Sequence, residues 1–106
     1  MKVFIIRERS GINAKGEFDP ATRSLTVLKG SAVSATIAYT EKFRGAKSIE
    51  KSREGVLKGN ILQKDMAFKS ASTAANFVTG TSTNGLTAWK DKSGKTIKEL
   101  ITEAEG

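Results

Sequence analysis

Phe68-Lys-Ser-Ala-Ser-Thr-Ala-Ala-Asn-Phe-Val-Thr-Gly80, followed at once by Thr83-Asn-Gly-Leu-Thr-Ala-Trp-Lys-Asp91 and Ser93-Gly-Lys95, carries the densest structural signal in the chain. The Ser70 hydroxyl can accept from a free backbone N–H of a first helical turn, so an Ala-rich helix opens there. Gly80 can end that helix in the left-handed conformation that costs other residues more. Asn84-Gly85 reads as the positive-φ pair of a tight turn, which would deliver Trp89 on a strand. Further on, Thr96-Ile-Lys-Glu99 fits a capping box that opens a last helix running through Ala104.

Upstream of this stretch, Lys2 to Glu8 is a short β-branched apolar run, read as a strand buried on both faces. Ser10-Gly11 is a turn signal. Ile12 to Phe18 and Ser24 to Gly30 flank Asp19-Pro-Ala-Thr-Arg23, where Pro20 presets φ for a turn. A three-stranded meander results, its second and third strands forming a hairpin. Residues 32–39 are either a further edge strand or an extended linker. From Glu41 to Lys58 the pattern is helical, with Phe43, Ala46, Ile49, Arg53, Val56 and Leu57 recurring at three- and four-residue steps. Lys42, Lys47, Glu50, Lys51 and Glu54 lie opposite, and Gly59-Asn60 is a stop signal. Ile61 to Ala67 is a strand or an extended connector.

The fold class expected is therefore α+β. A single small domain over residues 1–106 has an N-terminal antiparallel β-meander packed against one longer and two short helices. A Trp-bearing strand lies in its C-terminal half. The 106 residues suffice for one core. With only seven aromatics, that core must rest on aliphatic side chains around Trp89.

The chain has neither cysteine nor histidine. Without thiolates or imidazoles a structural zinc site is not expected, and the usual general base near neutral pH is missing. The carboxylates form no constellation: Asp19 and Asp91 sit in turns and Glu99 in a cap. We expect no catalytic residue, no metal and no cofactor. No apolar run approaches the ~20 residues that cross a bilayer, and the N-terminal run is too short for a secretory signal. A cytoplasmic protein without a membrane partner is the expectation.

The net charge is +7, and its distribution is uneven. Residues 1–53 hold eleven basic and five acidic side chains, residues 54–106 seven and six. Such an excess is an electrostatic footprint for a polyanion, or an ordinary solubilising surface. Candidate contacts are Lys29 and Ser31, where Lys29-Gly-Ser31 could expose backbone N–H groups to an anion. Arg44, Lys47 and Arg53 belong to the basic helix. Lys69 stands beside the helix start at Ser70 and Ser72, where phosphate or a plain cap is the choice. Asn84 can pair with a base or form the turn, and Lys90 points outward opposite Trp89. Trp89 itself is read as core.

The ordered residues Phe68, Ser70, Ser72, Ala74, Ala75, Val78, Gly80, Asn84, Gly85, Trp89, Lys90, Asp91, Gly94, Lys95, Thr96, Glu99 and Leu100 resemble the C-terminal signature of the DUF4357 domain. Ala14, Gly16, Phe18 and Val27-Leu-Lys-Gly-Ser31 resemble its N-terminal elements, so the likeness spans about residues 1–101. That family is commonly appended to GIY-YIG nuclease-like domains, and its core is similar to the RAMA domain of restriction systems. Two departures stand out. Ala71 replaces a usual Pro, and Leu86 stands where an aromatic is frequent. The GIY and YIG triplets are absent, so the resemblance implies that any nuclease or methyltransferase activity belongs to a partner. The function expected is a non-catalytic accessory module that binds nucleic acid, DNA before RNA, weakly and with strong salt dependence. The alternative is a protein-interaction or scaffold module. A hydrolase built on carboxylates is a third class.

Overall fold

Seven residues of strict alternation, Ile12-Asn-Ala-Lys-Gly-Glu-Phe18, set the architecture: odd-even burial along them sorts one sheet face inward and the other outward. The computed structural model describes residues 1–38 and 46–105. Four antiparallel strands run in the order β1 (Lys2–Arg7), β2 (Ile12–Phe18), β3 (Leu25–Val27) and β6 (Met66–Phe68). The registers place Phe4 opposite Lys15, Glu17 opposite Thr26 and Thr26 opposite Ala67. A small hairpin of β4 (Leu57–Lys58) and β5 (Ile61–Leu62) joins this sheet through single bridges of Ala32 to Asn13 and to Ile61. Of the segment left open between strand and linker, residues 32–38 form a one-residue bridge at Ala32 within an otherwise irregular run, and Tyr39 lies outside the described residues.

The inner face presents Val3, Ile5, Ala14, Gly16, Phe18, Leu25 and Val27, all buried. Helix α2 (Ala71–Thr79) lies against it, touching β2, β3 and β6. Ser70 Oγ accepts from Thr73 N at 3.1 Å, and Gly80 takes a φ of 75°, as expected for the two caps. Helices α1 (Ala46–Arg53), α3 (Gly85–Ala88) and α4 (Ile97–Glu105) pack on α2 or on each other. In α4 the capping box forms: Thr96 Oγ1 accepts from Glu99 N at 3.2 Å, and Glu99 Oε1 accepts from Thr96 N at 3.4 Å.

Trp89 is fully buried, and its indole N–H donates to Ala71 O at 3.0 Å. Gly16 makes room for it, since a Cβ there would stand 2.8 Å from Leu25 Cδ2 and 3.2 Å from the Trp89 ring. Gly16 in the Ala14-x-Gly16-x-Phe18 run therefore has a packing reason: a side chain there would take the space of the indole.

Four expectations change. Asn84-Gly85 is not a hairpin turn: Asn84 has a φ of −76° and caps α3, its Oδ1 accepting from Leu86 N at 3.1 Å. Gly85 is required because a Cβ would run into the Ala71 carbonyl, and its N–H donates to Ser72 Oγ at 3.0 Å. Trp89 thus ends a one-turn helix, and extended pairing is confined to Lys90, which bridges Phe4 and Thr96. β1 is buried on one face only, with Ile6 58% exposed. The helical run ends at Arg53, because Gly55 turns left-handed and Leu57–Lys58 pair with Ile61–Leu62 across Gly59-Asn60. Residues 41–45, the start of the expected longer helix, lie outside the described residues, within which α1, α2 and α4 span 8, 9 and 9.

Candidate nucleic-acid interface

Directly opposed residues of antiparallel strands project to the same face, so the registers order the outer surface into rows. Phe4 stands between Lys15, across β2, and Lys90, which closes a bridge with Phe4 N–H donating to Lys90 O at 2.7 Å and Lys90 N–H donating back at 3.0 Å. Lys15 O in turn accepts from Leu28 N at 2.8 Å, which extends the row to Lys90, Phe4, Lys15 and Leu28. A parallel row holds Lys2, Glu17, Thr26 and Ala67, and a third holds Ile6 and Asn13. Lys2, Lys15 and Lys90 are exposed, while Phe4 and Leu28 are half-buried. Glu17 is held by the N-terminal ammonium at 3.0 Å. Lys15 and Lys90 have no side-chain hydrogen bond or ion pair among the described residues.

Beside Phe4 this surface opens into a groove of about 540 Å³ between the C-terminal half of β1 and residues 87–94. Phe4, Ile6, Arg7, Thr87, Lys90 and Lys92 line it. Its acid, Asp91, is turned to its own loop: Oδ1 accepts from Ser93 N and Lys95 N, both at 2.9 Å. The loop is pinned on its far side by Lys95 Nζ, which donates to Glu103 Oε1 at 2.8 Å. That hydrogen bond and the carboxylate charge hold the Lys95 ammonium above its ordinary value of 10.5.

The sequence-derived candidates are not gathered into one patch. Lys29 is exposed, but its N–H donates to Asp65 Oδ1 at 2.8 Å, Gly30 N–H to Leu62 O and Ser31 N–H to Leu28 O. The backbone donors proposed there as an anion nest are all engaged. Ser31 is buried, accepting from Lys15 N at 3.0 Å and so tying β2 to the loop after β3. Arg53 is half-buried beneath the end of α2, with Nε and Nη2 donating to Phe77 O at 3.1 and 2.6 Å. Its Nη1 donates to Ser34 O at 2.9 Å, and the guanidinium carbon sits 5.7 Å from the Phe77 ring centroid.

Lys47 is exposed on α1 in a patch shared with Glu50, Lys51 and Glu54, which is mixed rather than basic. Lys69 is exposed at the start of α2, where Ser70 caps the helix and Ser72 accepts from Gly85. Asn84 is exposed with Oδ1 engaged in its cap. Arg44 lies outside the described residues. Lys90 alone of these lies on the uncovered sheet face. Phe4, Lys15, Lys2, Arg7 and Lys92 were missed, although the alternation through 12–18 already puts Lys15 outward.

Gly16 on the inner face of β2 and the Trp89 indole that packs against it lie 73 residues apart in the chain. The model of DUF4357, a domain of unknown function, matches residues 4–101. The chain belongs to that family. No curated protein and no solved structure matches this DUF4357 chain at a significant level. Among the described residues no helix is long and apolar enough to cross a membrane, and no group of three or more His, Cys, Asp or Glu could hold a metal ion.

Proposed function

We propose that this DUF4357 domain is a non-catalytic nucleic-acid-binding accessory module of the cytoplasm, taking DNA through its phosphates and serving a nuclease or methyltransferase partner. The observation that carries this reading is the row Lys90, Phe4, Lys15 on a solvent-facing sheet, with Lys2 on the same face and Arg7 and Lys92 lining the adjoining groove. Cations whose ends are unengaged attract phosphate, and an aromatic between them offers a base a flat partner. The net charge of +7 supplies the long-range field. The absence of histidine and cysteine supports a binding rather than a catalytic role.

Fluorescence anisotropy with a labelled oligonucleotide across a salt series tests it. If four cations reach phosphates, the slope of log affinity on log salt is about −4 on duplex and about −3 on a single strand. Changing Lys15 and Lys90 together to Gln should flatten it by about two units on duplex, at ~0.9 per phosphate. A second reading, docking of a protein partner, is favoured by the exposed Ile6 on an edge strand. It expects no saturable binding to either form of nucleic acid at low salt.

A further inference from the structure

The groove beside Phe4 has a chemistry finer than charge. The Phe4–Lys90 bridge uses the N–H and C=O that Phe4 turns away from β2. Along a strand these groups alternate in direction, so Ile6 points its own N–H and C=O the same way. Asn13, which faces Ile6, confirms the phase: its N–H and C=O pair with Ala32 on the other side. Continuing the bridge by two residues would bring Ala88 opposite Ile6. Ala88 instead closes α3, its N–H donating to Asn84 O at 3.0 Å. The ladder therefore stops after one step. Ile6 is left with an adjacent donor and acceptor at the wall of a groove that also holds Phe4, Arg7, Lys90 and Lys92.

Resting on the nucleic-acid reading above, we infer that this groove receives an unpaired nucleobase, so that the ligand is single-stranded nucleic acid rather than duplex. Phe4 supplies the stacking surface. The Ile6 N–H and C=O meet the base edge, and Lys15, Lys90, Arg7 and Lys92 hold the flanking phosphates. Each base carries a donor next to an acceptor on its Watson–Crick edge, and that edge is occupied in a duplex. One peptide group pair thus selects unpaired strands with little preference among bases. Stacking on an aromatic is likewise tolerant of sequence. Charge complementarity commits the occupant: three cations rim the groove, and its one carboxylate, Asp91, is turned into its own loop.

Anisotropy at one fixed salt concentration, with a labelled single-stranded DNA, its duplex and the same strand carrying abasic sites, tests the inference. The expected result is that the single strand binds about tenfold or more tighter than both others, the contribution of one stacked base. Phe4→Leu, which keeps apolar bulk on the strand, should remove that advantage, and Phe4→Trp should retain it. The backbone amide of Ile6 should shift in NMR spectra with the single strand only. Equal affinity for all three ligands, or a single-strand advantage that survives Phe4→Leu, overturns the base site and leaves a salt-dependent phosphate binder standing. No binding to any of them at low salt overturns both readings. Should Phe4→Leu fail to fold by circular dichroism, the abasic comparison on the native protein decides alone.

Discussion

Replacing Arg53 separates a structural cation from a ligand-binding one. Phe77 lies in the last turn of α2, where no downstream amide is in position for its carbonyl: Thr81 N donates to Thr79 Oγ1 instead, at 3.4 Å. Arg53 fills that vacancy with Nε and Nη2, and the same guanidinium reaches Ser34 O and Ser34 Oγ at 2.9 and 3.0 Å. A cation at a helix C-terminus is favourable by itself. Hydrogen bonds from a charged donor are worth about 1.5–3 kcal/mol each, and water recovers part of that because the side chain is only half-buried. We therefore expect Arg53→Ala to cost about 2–4 kcal/mol. For a domain of this size that lowers Tm by about 8–16 °C. Arg53→Lys keeps the charge but loses the planar fork, so it should forfeit about half as much. Thermal melts by circular dichroism measure both, with the anisotropy salt slope recorded alongside. A melting point for Arg53→Ala within about 2 °C of the native value, together with a flattened salt slope, would refute the structural assignment.

Trp89→Ala should cost about 3–5 kcal/mol, and Trp89→Phe about 1–3 kcal/mol, chiefly from leaving Ala71 O without its donor; acrylamide should quench native Trp89 fluorescence only weakly. Gly85→Ala should destabilise by about 3 kcal/mol or more, since its Cβ meets backbone of Ala71 and Ser72 that cannot swing aside, and denaturant melts would register it. Lys95 titrates above its ordinary 10.5 because of Glu103, so the pair's stabilising effect is fully present below that pH and is lost as pH rises through the folded value. Glu103→Gln should bring the Lys95 titration, followed by NMR, back toward 10.5.

The elements legible from sequence are those whose determinants are local. Ser70 and Gly80 bound α2, and Thr96 with Glu99 opens α4, because each cap lies within four residues of the group it satisfies. The meander was legible because alternation through 12–18 is complete. What escaped depends on contacts distant along the chain. Asn84-Gly85 has the composition of a hairpin turn, yet Gly85 is needed for its approach to Ala71, 14 residues earlier. The run of Val3 to Ile6 is apolar throughout, and such a run does not disclose that Phe4 and Ile6 face solvent. Arg53 counted as one more cation until Phe77, 24 residues on, defined its partner.

The same logic relocates the candidate site. In sequence, Lys29, Ser31, Arg44, Lys47 and Arg53 fall in the basic half of the chain, and Lys69, Asn84 and Lys90 fall in the C-terminal signature. In the fold, Ser31 and Arg53 hold elements together, the donors of the 29–31 turn are engaged, and Lys47 shares its patch with Glu50, Lys51 and Glu54. The sheet's outer face differs in kind. Gly16 admits Trp89 and α2 packs on the inner face, while Lys2, Ile6 and Lys15 on the other face are exposed. A face kept only for solubility would be polar at positions 4, 6 and 28. Instead Phe4 and Ile6 sit two apart on β1, Leu28 stands across Lys15, and lysines flank the aromatic on both sides. Apolar side chains scattered singly on a surface need no explanation, but a contiguous row ordered with cations does. Phosphate attraction explains the lysines and not Phe4; protein docking explains Phe4 and Ile6 and not the lysines. A ligand that is both flat and polyanionic accounts for both, and this argues for nucleic acid over either a simple anion or an apolar partner.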